Sequence, residues 1–374
     1  MVLNDEALPE ADRLEGVPHP RETERLFGQD LAEQAFLNAA RSGRMHHAWL
    51  LTGPKGVGKA TLAWRGARFL LSRPPAGEIG LFGQEPDATS LDVASDHPVA
   101  RRMAALSEPG LLLIRRLWDA DKKRFKAQIT VDEVRRLNSF FGLSAAEGGY
   151  RAVIVDSADD MNAAAANALL KVLEEPPRNA VLFLVSHRPA RLLPTIRSRC
   201  RELSLGKLPP GDLARAMEQA GFPEAADTAL AELSGGSVGE ALRLRALGGL
   251  DLYADLIGLL SDAPRMDRQR AAALAEKCAA KGAEERLDLA LRLMDTALSR
   301  LALAGAGRVP QHEAAQGEAE VLRHLSPNLR RAQAWADLSR DLGQRLRHGR
   351  AVNIDPATLL MDAFIKINET AGQS

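Results

Sequence analysis

The sequence predicts a parallel α/β sheet covered by helices on both faces and followed by all-helical regions. Three observations carry that expectation. Short apolar runs of strand length alternate with amphipathic helical patterns up to about Leu205, the order that builds a parallel sheet. A glycine-rich loop, "GPKGVGKA", stands between one such run and a helix. Beyond Leu208 strand patterning stops and only helical periodicity continues to the end.

The elements follow in order. The opening stretch "MVLNDEALPEADRLEGVPHP" is acidic and proline-bearing, with no basic start and apolar run, so it does not read as a secretory signal; residues 1–19 are expected to be a disordered tail. A helix is expected from about Leu31 to Arg44, closing at "SGRMHH", and "AWLLTG" reads as a buried strand. The glycine loop follows, then "KATLAWRGARFLLS" as a buried helix. Residues 73–107, rich in Pro, Gly, Asp and Ser, read as a surface insertion. "GLLLIRRLWD" is a second strand and "DKKRFKAQ" a basic hairpin or loop. Thr130, with Glu133 three residues on, is a capping box opening a helix to Gly142. "YRAVIVDSADDM" is strand-like and ends in an aspartate; "NAAAANALLKVLEE" is a helix stopped by Pro176 and Pro177; "AVLFLVS" and "RCRELSL" are further strands. Residues 208–250 form a helical cluster punctuated by Pro209, Pro210, Pro223 and Gly235–Gly236, and residues 251–374 a run of amphipathic helices.

Composition narrows the function. Lysine plus arginine and aspartate plus glutamate are both 49, so no overall positive field draws nucleic acid and any such contact is a local patch. Aromatics make up only 4% of the chain and no aromatic-studded basic stripe appears, so Lys122, Lys123 and Arg124 read as a solvated loop. Two cysteines, Cys200 and Cys278, are too few for a disulfide framework or a four-thiolate zinc site, which points to a reducing compartment. No window reaches the ~18 apolar residues of a membrane helix. The expectation is a soluble, cytoplasmic protein with no membrane contact.

The loop carries the chemistry. In G-x-x-x-x-G-K-[ST], backbone N–H groups and the following helix N-terminus cradle phosphates, the lysine reaches the β- and γ-phosphates, and the hydroxyl ligates magnesium. Gly53, Gly58 and Lys59 fill the fixed places, with Gly56 inside the turn, but Ala60 stands where the hydroxyl belongs. Thr61 points about 100° away around the helix. A strand ending in Asp156 supplies the carboxylate a metal would need, yet Ser157 follows where a second carboxylate commonly polarises the attacking water. General-base assistance is worth about 10²–10⁴-fold in rate, so its loss reduces turnover severely. Asp159 and Asp160 are imaginable stand-ins but read better as the start of the next helix, favourable to its dipole. Gly53, Gly56, Gly58, Lys59, Thr61 and Asp156 are therefore the candidate residues of a degenerate ATP or ADP site, with no metal site.

The runs "NALLKVLEEPP" (Asn167 to Pro177) and "LPTIRSRC" (Leu193 to Cys200), together with "HHAWLLTGPKGVGKATL", resemble the clamp-loader branch of the AAA+ proteins over roughly Pro20 to Leu250. The resemblance implies an AAA+ P-loop domain over 20–207, a helical lid domain over 208–250 and a helical collar domain for oligomerisation over 251–374. It also implies that Arg199, in Ser-Arg-Cys, is an arginine finger acting in trans on ATP held by a neighbour. The lid arginine of ATP-burning relatives corresponds to Gly239, so three catalytic positions lapse together: Ala60, Ser157 and Gly239. Ser186 falls near the family's phosphate-sensing polar residue, and His46 and His47 near a position by the nucleotide base, although a structural role is open for both histidines. The four-cysteine zinc module of many members is missing, so no zinc is expected. Implied partners are an ATPase subunit and the clamp-opening delta subunit in a hetero-oligomeric ring, and through it the sliding clamp and primer–template DNA. Two functions stay open: a structural, non-hydrolysing subunit of the replicative polymerase's clamp loader, or a working AAA+ ATPase.

Overall fold

A computed structural model of the chain describes residues 9–14, 16–73, 88–142, 149–223, 228–280 and 282–373. They divide into two compact units, Met1–Pro223 with Ser237–Gly239, and Glu224–Gly236 with Glu240–Ser374. The division falls at 223 rather than 207, and the region expected as a lid, 208–250, is shared between the units.

In the first unit the elements are α1 (Asp30–Arg41), β1 (Ala48–Thr52), α2 (Lys59–Leu71), α3 (Pro98–Ala104), β2 (Leu111–Arg115), β3 (Trp118–Asp119), β4 (Arg124–Phe125), α4 (Val131–Gly142), β5 (Arg151–Asp156), α5 (Ala163–Glu174), β6 (Ala180–Val185), α6 (Pro194–Arg197), β7 (Arg201–Ser204) and α7 (Pro210–Gln219). Five strands form one sheet in the order β2-β5-β6-β1-β7. Every pairing in it is parallel. Strand side chains alternate between faces, and both faces are covered by helices. On one, Leu50, Val153, Val155, Leu182 and Leu184 join Leu137 of α4 and Leu169 and Leu173 of α5 in a buried cluster. On the other, Phe36 of α1 meets Trp49 and Phe183 at ring centroids of 5.1 and 5.5 Å. Helix α2 lies there too, so close that a Cβ on Gly66 would stand 3.0 Å from the Phe183 ring.

Three expectations change. The described part of the N-terminal stretch is not a loose tail: Glu10 pairs with Arg21 at 2.7 Å and with Arg115 at 2.8 Å, Asp12 pairs with Arg115, and buried His19 meets Asp12 at 3.2 Å. Burial would raise the Glu10 carboxyl, but Arg21 and Arg115 hold it down at about 2. Residues 1–8 and 15 lie outside the described residues. "GLLLIRRLWD" is two strands, β2 and β3, with "DKKRF" turning from β3 into β4 as an antiparallel hairpin across which Trp118 and Phe125 stack edge to face at 5.1 Å. Of the expected insertion, 74–87 lie outside the described residues, while His97 caps the short helix α3 by accepting from the Val99 N–H.

The second unit is helical: α8 (Thr228–Ser234), α9 (Val238–Ala246, whose first two residues are counted in the first unit), α10 (Gly249–Ser261), α11 (Arg268–Ala279), α12 (Glu284–Gly305), α13 (Glu318–Leu325), α14 (Leu329–Ala351) and α15 (Pro356–Gly372). The long helices α12 and α14 pack along each other, as do α11 and α15. One charged network is buried among them. Glu318, 1% exposed, accepts from Arg300 at 2.9 Å, from the Tyr253 hydroxyl at 2.5 Å and from the Ala314 N–H at 2.7 Å. Arg300 reaches Glu232 of α8 at 2.8 Å with its other nitrogen. No helix among the described residues is long and apolar enough to cross a membrane.

Candidate nucleotide cradle and a separated arginine

Strand β1, buried from end to end, delivers the chain to the loop at the C-terminal edge of the sheet. Gly53, Gly56 and Gly58 all have positive φ, +129°, +80° and +102°, the backbone shape a cradle of N–H groups requires. At Gly53 the requirement is also spatial, since a Cβ would stand 2.2 Å from the Leu205 carbonyl oxygen. Gly53→Ala is therefore expected to destabilise the first unit by about 3 kcal/mol, measured by urea unfolding.

The lysine does not stand free. Lys59 is 2% exposed, and its Nζ donates to the Gly53 carbonyl at 2.8 Å and to the Pro54 carbonyl, so the loop's own oxygens take the bonds a phosphate would take. Burial lowers its pKa to about 8, against the opposing pull of Asp156 and Asp159. Asp156, at the end of β5, moves the other way: burial first, then the charge of Asp12, push it up to about 7 although Lys59 draws it down. Thr61 is half-buried in the first turn of α2 and Ala60 precedes it, so the loop offers no hydroxyl next to Lys59.

The loop is closed from above by the segment that should carry the lid arginine. Ser237 Oγ donates to the Lys55 carbonyl at 2.8 Å and the Gly239 N–H to the Gly56 carbonyl at 3.0 Å. A Cβ on Gly239 would lie 2.9 Å from the Gly56 Cα. The glycine at 239 is thus a packing requirement of this closure, and a longer side chain there would lift the segment off the loop.

Asp159 and Asp160 do not begin α5. They form a short 3-10 turn, and α5 is capped instead by Asn162, whose side chain accepts from the Ala165 N–H. Asp159 accepts from Ser186 Oγ at 2.7 Å and from the backbone N–H groups of His187 and Arg188, tying the ends of β5 and β6 together. Asp160 pairs with Arg116 at 3.0 Å. Both carboxylates are committed, and so is Ser186. His187 sits beside Lys59; burial, then the lysine's charge, hold its pKa down at about 4, so it is neutral at physiological pH.

Sequence reasoning missed Gln29. Its buried amide donates to the Val57 carbonyl at 3.2 Å and the Gly206 carbonyl at 2.8 Å and accepts from the Gly206 N–H at 3.1 Å, clamping the loop to the exit of β7. Only its place just before α1 hinted at this. His46 and His47 stack at 4.4 Å just before β1, at the N-terminal edge of the sheet, so they are not beside the cradle.

Arg199 is brought together with none of the cradle residues. It precedes β7, which runs parallel to β1 with Trp49 opposite Arg201 and Thr52 opposite Ser204. The cradle follows the C-terminal end of β1 while Arg199 precedes the N-terminal end of β7, so the length of the strand, roughly 15 Å, separates them. Arg199 is 35% exposed at the side chain, pairs with Glu174 at 2.9 Å and donates to the Thr195 carbonyl at 3.0 Å. Beside it the Cys200 thiol is pushed up to about 12 by burial and stays protonated.

Residues 28–209 match the family described as DNA polymerase III, delta subunit. The chain is 37% identical over 214 residues to DNA polymerase III subunit delta' of Pseudomonas aeruginosa, covering 56% of this chain and 59% of that one. It is 34% identical over 206 residues to subunit delta' of Escherichia coli K12, covering 54% and 56%. It is 31% identical over 213 residues to subunit gamma/tau of Mycobacterium tuberculosis H37Rv, covering 54% and 32%. The matched part spans less than two thirds of the length of each of these relatives. Over residues 28–209, which carry every strand of the parallel sheet, the chain is similar to the DNA polymerase III delta subunit family.

Proposed function

We propose that the chain is a structural, non-hydrolysing subunit of the DNA polymerase III clamp loader that lends Arg199 to ATP held by a neighbouring ATPase subunit. The observation that carries this reading is the separation of the two motifs. A guanidinium at the N-terminal edge of the sheet cannot meet a phosphate in its own loop at the C-terminal edge, but half-exposed it can meet one in another chain. There a rigid, permanently charged fork opposes the charge that spreads over a transferring phosphoryl group.

The cradle supports the same reading from the other side. To admit ATP or ADP it would have to give up two lysine–carbonyl bonds and the bonds from Ser237 and Gly239. Even then Ala60 gives magnesium no hydroxyl and Ser157 gives water no base. The loop serves as architecture: it joins β1 to α2 and receives the segment around Gly239. As a ring member the chain would work beside the ATPase subunit and the clamp-opening delta subunit, in the cytoplasm, on the sliding clamp and primer–template DNA, with the α10–α15 region as the collar.

The test is turnover by the purified chain. With magnesium and ATP it is expected to show no hydrolysis above background, and Lys59→Met, which keeps the side-chain volume, to change nothing. Magnesium-dependent turnover abolished by Lys59→Met would establish the working ATPase instead.

A further inference from the structure

Glu174 stands in the last turn of α5, held there by the stop at Pro176 and Pro177. A carboxylate at that end faces the negative end of the helix dipole, an unfavourable place unless a cation answers it. Arg199 answers it at 2.9 Å. An ion pair this exposed adds little to stability, so stability does not account for placing an acid there.

We infer that Glu174 is a positioning residue for Arg199, holding its guanidinium ready for the neighbour's triphosphate; this rests on the trans role proposed above. The arginine is tethered from two elements: Glu174 of α5 takes one terminal nitrogen and the Thr195 carbonyl of α6 takes the other. Helix α6 is itself pinned by Ile196, which is fully buried in the core between sheet and helices. The hydrogen bond to Thr195 uses one of the five guanidinium N–H donors, and others remain for an anion. The flexible arginine side chain is thus ordered before the neighbour arrives, which removes an ordering cost from the step in which charge develops. Glu174 and its partner therefore act as one unit although only Arg199 would touch phosphate.

The test uses the reconstituted assembly containing this chain and its ATPase neighbour, with kcat and the KM for ATP measured. Arg199→Ala should lower kcat about 10³-fold. Glu174→Ala should lower kcat about tenfold, leaving KM within about twofold. Glu174→Gln keeps an oxygen beside Arg199 that can accept from it and should stay within about threefold of the parent. Adding Glu174→Ala to Arg199→Ala should cost nothing more, because the glutamate acts only through the arginine. Parental kcat in Glu174→Ala, a Gln variant as impaired as the Ala variant, or further loss in the double variant would overturn the positioning role while leaving the finger intact. Parental kcat in Arg199→Ala would remove the finger, and this inference with it.

Discussion

Replacing Arg199 with alanine is expected to lower the ATPase of a reconstituted clamp loader by about 10³-fold and to leave the complex assembled. The loss falls on a site that belongs to another chain, which is the distinguishing feature of the prediction. Assembly should survive because Arg199 is partly exposed and its ion pair with Glu174 lies at the surface, so truncation opens no cavity and strands no buried charge. Size-exclusion chromatography of the assembled complex checks the second half of the statement. Steady-state hydrolysis checks the first.

Glu318→Ala produces the largest loss of stability, about 3–5 kcal/mol, and it falls on the second unit. Removing the carboxylate takes from buried Arg300 the partner that accepts from it with both oxygens, and takes away the acceptor of both the Tyr253 hydroxyl and the Ala314 N–H. Burial, reinforced by the Glu318 carboxylate, pushes the Tyr253 hydroxyl well above the usual phenol range, so it stays protonated and donates. Glu318→Gln, which retains an acceptor but not the charge, falls between parent and alanine variant. Replacing Arg300 and Glu318 together by Met and Leu is expected to cost less than Glu318→Ala alone, because the charge then left without Arg300, Glu232, is partly exposed to water rather than buried. Chemical denaturation followed by circular dichroism separates these variants.

Much of the first unit is legible in the sequence because burial on both faces leaves continuous apolar runs. β1, β5 and β6 are such runs, and the glycine loop and the Pro176–Pro177 stop punctuate them. The separation of Arg199 from the cradle is not legible, since it depends on β7 pairing with β1 in parallel across some 150 residues of chain. The fold-back of the N-terminal stretch is hidden for the same reason: Glu10 and Asp12 look like a solvated acidic tail until Arg115 is placed beside them. Asp159 looks like a helix start because the donors it accepts from reach it only once β6 lies next to β5. Gly239 reads as a lost arginine, and only the packing against Gly56 shows why a side chain is excluded there. Glu174 sits inside a motif that the sequence could mark but whose partner, Arg199, it could not supply.

In the proposed role this chain serves ATP hydrolysis from outside the site where it occurs. The most direct measurement compares two variants in one reconstituted clamp loader, Lys59→Met in the chain's own cradle and Arg199→Ala at the opposite edge of its sheet. The lysine variant should hydrolyse ATP at the parental rate while the arginine variant falls by about 10³-fold. A fall in the lysine variant with parental turnover in the arginine variant would contradict it.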